Sequence, residues 1–319
     1  MKKLLLAALC LAVVALPSLA QQYPTRAIKI IVPFGPGGFT DVAARILQKE
    51  LAPAIGQPIV IENKPGAGST IGTSEVAKGQ PDGYTLVMIS TAHVISPHLY
   101  KAMPYDALKD FTPVMKLAEG PYVLVVHPSL PVRSVAELIS LARAQPNTID
   151  YASSGNGSAQ HLVGALFATM AGAPISHVPY KGSAQAMNDI LGGQVKVSFV
   201  GVPNALPNLT SGKLKALAVS TRKRYADLPD VPTLEEAGVK GYDATIWLAL
   251  LAPPGTPREI VQKLNTSITQ ILSTPDAKKL MASAGVDVAT SSPEELAALM
   301  QAEFDRWGKV VRDTGATVN

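Results

Sequence analysis

The chain has 319 residues, of which 47% are apolar and 16% are charged, and this length fits one large or two ordinary domains. That apolar content excludes a wholly disordered chain, and the small excess of 28 basic over 24 acidic residues excludes the strongly basic surface typical of nucleic-acid binding. Cys10 is the only cysteine, which excludes a disulfide framework and a cysteine-based zinc site.

The first twenty residues predict a signal peptide. Lys2 and Lys3 form a basic start, an unbroken apolar run follows over residues 4–16, and Ser18-Leu19-Ala20 fits a cleavage site, so we expect the mature chain to begin after Ala20. The apolar run is too short to span a membrane, and the residues before Cys10 do not favour a lipid anchor. We therefore expect an exported, unanchored protein. A periplasmic location follows, because an exported protein that acts near its own cell needs an enclosing outer membrane.

Short apolar segments alternate with helical patterns along most of the chain. Predicted strands lie at residues 28–34, 59–62, 85–90, 122–127, 149–152, 175–179, 195–200 and 214–219. Predicted helices begin at about residue 41 and lie at about 69–78, 134–144, 159–171, 183–191 and 203–211. After Pro257 the chain is mainly helical, with a capping box at residues 292–295. This alternation favours parallel α/β sheets.

The predicted strands divide into two sheets, one before about residue 120 and one between about 122 and 219. The first sheet has few helices of its own to cover it, so we expect the helical segment after about residue 248 to return to it. The expected division is 1–20 as signal peptide, 21–121 plus 248–319 as lobe 1, and 122–247 as lobe 2. A discontinuous first lobe with two chain crossings suits hinge closure on a ligand.

The first glycine loop, residues 33–41, joins a predicted strand to a predicted helix. Its glycines allow backbone N–H groups to turn toward a ligand, and a helix N-terminus favours an anion. Thr40 occupies the third glycine position of a dinucleotide fingerprint, and the Gly-Lys-Ser/Thr ending of a P-loop is absent, so a nucleotide is disfavoured. A small carboxylate fits better. A tight turn capped by Thr40 or Asp41 explains the same residues without a ligand.

The second glycine loop, residues 153–161, offers hydroxyls, an amide and glycine N–H groups but no fixed charge. If the two lobes face each other, two helix N-termini converge on one cleft, and an ordinary polar turn is the alternative interpretation. A different hypothesis is a periplasmic hydrolase, with Ser153, Ser154 or Ser158 as nucleophile and His161 as its base. No acid–His–Ser spacing is legible, and we expect no enzymatic activity.

The histidines do not predict a metal centre. None of them forms a metal-ligand spacing with a second histidine or with a carboxylate cluster. Each is explained by an ordinary core or surface position, and His161 is the one that adjoins a candidate loop. We therefore expect no metal, no cofactor and no nucleic-acid partner.

Seven motifs, taken together and in order, resemble the extracytoplasmic receptors of tripartite tricarboxylate transporters, the Bug family. They lie at residues 31–41, 61–68, 81–86, 153–158, 178–182, 212–219 and 252–257. The resemblance covers essentially the whole mature chain. It implies an α/β periplasmic binding protein of type II topology, with two lobes that close on a small carboxylate for delivery to integral-membrane transporter components. We expect a monomer. A sensor role toward a membrane kinase is compatible with this function.

The resemblance also implies the ligand-binding residues, because in this family the two glycine loops grip one carboxylate through backbone groups and bridging water. Carried onto this sequence, they are Gly37, Gly38, Phe39, Thr40, Asp41, Thr91, Ser153, Ser154, Asn156, Gly157, Ser158, Tyr180, Lys181, Gly182, Val200 and Trp247. A solvated side chain is an equal alternative for Lys181. Trp247 lies at the crossover, where it fits either a hinge residue or a wall of the pocket.

Val200 departs from the family pattern, which often has an aspartate there. Amino-acid receptors usually place an acid against the ligand ammonium, so we expect a ligand without one, either a dicarboxylate or an aromatic acid lying against Phe39. The two loops contain no lysine or arginine, which predicts a neutral anion site. Arg45, one turn into the helix, is expected to point away from the first loop.

Overall fold

The computed structural model describes residues 23–283 and 285–315, so the predicted signal peptide and its cleavage site lie outside the described residues. The strands are β1 Ile28–Val32, β2 Ile59–Asn63, β3 Thr85–Ser90, β4 Thr112–Gly120, β5 Tyr122–Val126, β6 Asp150–Ser153, β7 Ser176–Pro179, β8 Val197–Gly201, β9 Lys215–Val219, β10 Ile246–Ala252 and β11 Asp287–Val288. The α-helices are α1 Phe39–Ile55, α2 Thr70–Ala77, α3 Ala92–Ile95, α4 Val135–Ala144, α5 Ala159–Ala171, α6 Ser183–Leu191, α7 Val202–Thr210, α8 Arg258–Leu272, α9 Pro275–Ser283 and α10 Pro293–Thr314. In this part of the chain, no helix combines the length and the apolar character needed to cross a membrane.

Six strands form the first sheet, in the order β11-β4-β10-β3-β1-β2. β1 runs parallel to β2 and to β3, while β10 runs antiparallel to both β3 and β4. Helix α8 covers this sheet, since Leu264, Ile268 and Leu272 belong to the same buried apolar cluster as Ile28 and Ile30 of β1. Because β10, β11 and α8 follow the second sheet in the chain but pack with the first, the first lobe is discontinuous, as expected.

Five strands form the second sheet, in the order β7-β6-β8-β5-β9. β6 runs parallel to β7 and β8, and β5 runs antiparallel to β8 and β9. Both sheets are therefore mixed, with β10 and β11 in the first and β5 in the second running against their neighbours, which the prediction of parallel sheets missed. The cause is the crossing of the chain: β5 begins opposite Gly201, where β8 ends, and β10 begins opposite Gly120, where β4 ends. A strand that enters at the end of its neighbour must run in the reverse direction.

The predicted elements that have clear periodicity agree with the structure to within about two residues, and β3, α5 and α6 match at both ends. Three strands were not predicted, namely β4, β10 and β11. β4 contains Pro113 and carries Lys116 and Glu119, whose side chains form an ion pair at 2.9 Å, so its sequence does not alternate cleanly. In the sequence, β10 is visible only as an apolar run, without the alternation of a half-buried strand. The first helix begins at Phe39, two residues earlier than expected.

Candidate ligand-binding site

Both glycine loops lie where parallel strands end. The first follows β1 and leads into α1, and the second begins at the last residue of β6 and leads into α5. Thr91 follows β3 at the same edge of the first sheet. The ring of Phe39 lies 3.9 Å from the place that a Cβ on Gly201 would occupy at the end of β8. The first loop therefore lies beside the edge of the second sheet to which the second loop belongs, and ligands of α/β sheets bind at such carboxyl edges.

In the first glycine loop, the side chain of Asp41 holds the backbone. Gly37 has a φ of 76°, and its N–H donates to Oδ2 of Asp41 at 2.9 Å. Arg45 Nε donates to the same oxygen at 3.0 Å, and Asn63 Nδ2 donates to Oδ1 at 2.9 Å. Gly38 is the N-cap of α1, so no side chain caps this helix at its N-cap. The N–H groups of the first helical turn have no intrahelical acceptors and remain for another partner.

Asp41 is buried but ionised. Burial raises the pKa of this carboxyl, and the hydrogen bonds from Arg45, Gly37 and Asn63 more than offset it, so the pKa lies below 3.8. Arg45 therefore does not point away from the loop, and that expectation was wrong: its side chain folds back along one helical turn to the acid. The expectation that Asp41 or Thr40 is the N-cap was also wrong, because Asp41 is the third helical residue.

In the second glycine loop, side chains from the start of α5 hold the backbone. Gly157 has a φ of 75°, and its N–H donates to Nδ1 of His161 at 3.2 Å. Ser158 is the N-cap, and its Oγ accepts from the backbone N–H of His161 at 3.2 Å. The N–H of Ser154 donates to Oε1 of Gln160 at 3.0 Å. Three polar groups of α5 and its cap therefore fix the loop without any charge.

His161 is stacked on His177 of β7, with ring centroids 3.9 Å apart and the planes 16° from parallel. Nε2 of His177 lies 2.6 Å from Oγ of Ser153, and the Tyr151 ring lies 5.1 Å from that of His177. Burial lowers the pKa of His161 to about 4. Burial, followed by the neighbouring His161, lowers the pKa of His177 to about 3. Both imidazoles are therefore uncharged at neutral pH.

The hydrolase hypothesis required His161 to activate a serine of this loop. The imidazole of His161 instead accepts from Gly157, and Ser158 contacts only its backbone N–H. Ser153 is paired with His177, but the serine is fully buried and the imidazole is a poor base because of its low pKa. In the described part of the chain, no acid completes either pair as it would in a catalytic triad.

Other residues implied by the resemblance lie at the same two sheet edges with different exposure. Thr91 is buried, and its Oγ1 accepts from the backbone N–H of Trp247 at 3.1 Å. Trp247 is buried too, and its indole Nε1 has no hydrogen-bond partner among the described residues. Tyr180 donates from its hydroxyl to Asp189 at 2.8 Å. Thr91 and Trp247 therefore stabilise the edge of the first sheet from its buried side, while Tyr180 is half-buried and tied to Asp189 of α6.

Lys181, Gly182 and Val200 are the remaining residues that the resemblance implies. The side chain of Lys181 is exposed, and Gly182 is the N-cap of α6 with a φ of 147°. Val200 lies in the apolar cluster between the second sheet and helices α6 and α7, and it lines a small cavity with Gln160 and Asn204. An acid at position 200 would therefore have been buried beside that cavity.

Four contributors to the site were missed by sequence reasoning: Arg45, Asn63, Gln160 and His177. Asn63 belongs to the second of the seven motifs and is in register with Val32, directly before the first loop. His177 lies opposite Tyr151 on the neighbouring strand, two residues from the pair formed by Ser153 and Pro179. A correct strand register would have placed both residues beside the loops. The i,i+4 spacing of Asp41 and Arg45 was a direct signal for their ion pair.

Comparison with known proteins gives a consistent result. The model of the family described as "Tripartite tricarboxylate transporter family receptor" matches residues 43–316. A solved structure of Rpa4515 from R. palustris with adipate is 40% identical, with a TM-score of 0.88, covering 93% of this chain and all of that one. The periplasmic binding protein BugD is 36% identical, with a TM-score of 0.86 and the same coverage. MatC from Rhodopseudomonas palustris with bound malate is 35% identical, with a TM-score of 0.84, covering 91% of this chain and all of that one.

Proposed function

Because this chain belongs to the tripartite tricarboxylate transporter receptor family, we propose that it captures a small carboxylic acid between its two glycine loops. The observation that carries the proposal is the pairing of the loops. Two glycine-bearing turns, with φ values of 76° and 75° at Gly37 and Gly157, begin helices α1 and α5 at the carboxyl ends of parallel strands. Helix N-termini of this kind are ready-made anion sites.

The ligand carboxylate would be held by uncharged donors. The first-turn N–H groups of Phe39 and Thr40 in α1, and of Ala159 and Gln160 in α5, have no intrahelical acceptors, while Gly37 and Gly157 are engaged by their own helices. Within the described residues, the side chains of Ser154 and Asn156 have no hydrogen-bond partner. Bridging water can extend the reach of all these donors. Gly37 and Gly157 thus shape the site rather than bind through their N–H groups.

The ligand class is a diacid or an aromatic acid without an ammonium group. Val200 and its apolar neighbours offer no partner for a buried cation, and Asp41 is already fully engaged by three donors. The relatives bound to adipate and malate hold dicarboxylates, which supports a dicarboxylate for this chain as well. Phe39 is half-buried beside Gly201, where its ring can line the apolar part of the ligand.

A thermal-shift screen of organic acids, followed by calorimetric titration, tests the proposal. We expect adipate or succinate to raise the melting temperature, because a ligand that binds the folded state alone stabilises it by mass action. Succinate should bind more tightly than aspartate, which differs by one amino group. A screen in which no carboxylate shifts the melting temperature while a neutral sugar does would overturn the function, and tighter binding of aspartate would overturn the ligand class.

The same proposal covers the lobe boundaries, the cellular location and the role in transport. Lobe 1 comprises residues 21–121 and 248–319 and lobe 2 residues 122–247, which is supported by the way the strands divide between the two sheets. The mature, monomeric protein would act in the periplasm after cleavage behind Ala20 and deliver its ligand to the membrane components of a tripartite transporter. It would have no catalytic role. Hydrolysis of a simple ester that is lost on His177→Ala would contradict this last point.

A further inference from the structure

The two glycine loops share one backbone device. In each, a glycine with a φ near 75° precedes the N-cap, and its N–H donates to the side chain of the third helical residue. That residue is Asp41 in α1 and His161 in α5. The N-cap residues Gly38 and Ser158 have closely similar dihedral angles, with φ of −80° and −68° and ψ of 166° and 156°. The same turn is thus closed once by a carboxylate and once by an imidazole.

The surroundings explain why the closing groups differ. The carboxylate of Asp41 is neutralised by Arg45, four residues further along α1. The corresponding position in α5 is Ala165, and the sequence contains no lysine or arginine from residue 144 through residue 180. An acid at position 161 would hold Gly157 equally well, but its charge would be uncompensated at the helix N-terminus that the anion needs.

The histidine fulfils the same role without charge. Nδ1 of His161 accepts the hydrogen bond from Gly157, which places its proton on Nε2. The titratable groups that face it are His177, stacked on its ring, and Tyr151, whose hydroxyl donates to the backbone carbonyl of His161 at 3.0 Å. Burial disfavours the charged form of both imidazoles, and a positive charge on one ring would further disfavour a charge on the other, so both rings are neutral at pH 7.

We propose that His161 is a positioning residue for the ligand: it fixes the second glycine loop through Gly157 while adding no negative charge beside the bound carboxylate. The inference rests on the proposed function. Because His161 holds the loop backbone without carrying a charge, it sets the shape of the anion site without changing its electrostatic potential. The loop glycines and serines do not have this role.

The test uses two substitutions of nearly equal shape. In His161→Asn and His161→Asp, an Oδ1 atom can replace Nδ1 as acceptor for Gly157, but only the aspartate carries charge. In calorimetric titration of the full-length mature protein with adipate at pH 7.5, we expect His161→Asn to bind within about threefold of the unchanged protein, and His161→Asp to bind at least about tenfold more weakly, because a unit charge a few Å from the ligand carboxylate acts at low effective dielectric. Equal affinity of the two variants would overturn the proposal.

A double variant and a remote control make the result specific. His161→Asp combined with Ala165→Arg rebuilds the Asp41–Arg45 arrangement, so affinity should recover; failure to recover in a folded double variant would contradict the charge argument. Glu137 is the third residue of α4 and accepts from the N–H of Arg133. Glu137→Gln changes charge at the same helical position away from the loops, and it should leave the affinity for adipate unchanged.

A ligand-free measurement separates this inference from the proposed function. Imidazole ¹⁵N chemical shifts of the unchanged protein should report an Nε2–H tautomer at His161 that does not titrate between pH 8 and pH 5. Titration near pH 6.5, or the opposite tautomer, would overturn the role of neutral His161 as acceptor for Gly157, even if every variant bound adipate as expected. Absence of adipate binding by the unchanged protein, with the expected ¹⁵N shifts, would instead contradict the ligand class.

Discussion

The first and second glycine loops have the same backbone path but are stabilised by different chemistry. The first is closed by an ionised acid that faces only donors: the N–H of Gly37, Arg45 and Asn63. The second is closed by a neutral imidazole that faces a single donor, the N–H of Gly157, and is held by a second ring. The comparison shows that a backbone turn does not dictate the charge of the group that closes it. The neighbouring residues determine whether a charged or a neutral group is stable at that position.

Replacing both closing residues by asparagine should separate the loops most clearly. In Asp41→Asn, the new NH₂ group must face a donor, and the Asn63 amide cannot flip to help because it also donates to the carbonyl of Phe34 and accepts from Arg45. We expect a loss of about 3 kcal/mol in the free energy of unfolding, since buried donors lose a charged acceptor. His161→Asn keeps its one acceptor and should cost about 1 kcal/mol, mainly for lost ring contact.

Urea unfolding at pH 7.5 measures both variants under the same conditions. Equal losses would mean that the two loops tolerate the same polar group, and the contrast between an all-donor and a single-donor environment would then be wrong. Asp41→Ala and His161→Ala provide the reference for removing each side chain altogether.

Acid should weaken the second loop before the first. The folded pKa values of His161 and His177 lie below the ordinary 6.5, so between pH 6.5 and about 4 the unfolded chain binds protons that the folded chain does not. The stabilisation is therefore complete above pH 6.5 and is lost as the pH falls from 6.5 toward the folded pKa values, by on the order of 2 kcal/mol for each imidazole between pH 6.5 and pH 4.5. The pKa of Asp41 lies below 3.8, so its contribution persists through this window and is lost only at lower pH.

Unfolding curves at closely spaced pH values check this order. His161→Asn combined with His177→Gln should flatten the profile between pH 6.5 and 4.5, leaving the part due to His93, whose pKa burial lowers to about 4, and to His98, whose pKa burial also lowers. A double variant with the slope of the unchanged protein would show that the stacked pair does not carry the effect.

The shared turn itself should respond equally in both loops. Gly37→Ala and Gly157→Ala force a side chain into the left-handed region, and each should cost about 1 kcal/mol of unfolding free energy. Gly56 ends α1 with a φ of 69° and has open space where a Cβ would be added. Gly56→Ala should therefore cost the same stability but leave ligand affinity unchanged, whereas the two loop variants should weaken adipate binding. Equal affinities in all three variants would remove the loop glycines from the site.

The sequence predicted much of this comparison, because periodicity identified the strand before each loop and the helix after it. It also identified the loops as similar, since glycines, hydroxyls and helix starts are local signals. It could not supply the partners that come from other strands. Asn63 and His177 reach the loops through strand register, and the antiparallel entry of β5 and β10 depends on where the chain crosses between sheets. The spacing of Arg45 to Asp41 indicated their ion pair, but the prediction that a residue one turn into the helix points away from the loop gave the wrong orientation.

Arg45 therefore provides the smallest but most direct test of how the first loop tolerates its acid. Its side chain is half exposed, with Nε donating to Asp41 and Nη2 to Oδ1 of Asn63 at 3.1 Å. Solvent screens this ion pair on the arginine side, and the buried Asp41 keeps its two other donors, so Arg45→Ala should lower the free energy of unfolding by only about 0.5–1 kcal/mol. The effect on ligand binding should be larger than that on stability, because the buried carboxylate then lies uncompensated beside the bound anion.

The matched control is Arg222→Ala, which removes an ion pair of the same 3.0 Å length to Asp243, away from both loops. We expect a similar small loss of stability in both variants, and a several-fold weaker affinity for adipate in Arg45→Ala alone. Arg45→Lys should restore part of the affinity, since it returns the charge without the two-point geometry of the guanidinium. If Arg45→Ala bound adipate as tightly as Arg222→Ala, the carboxylate of Asp41 would be too well shielded by its other donors to affect the ligand. The neutral imidazole at position 161 would then be a matter of packing, and the difference between the two loops would have no electrostatic meaning.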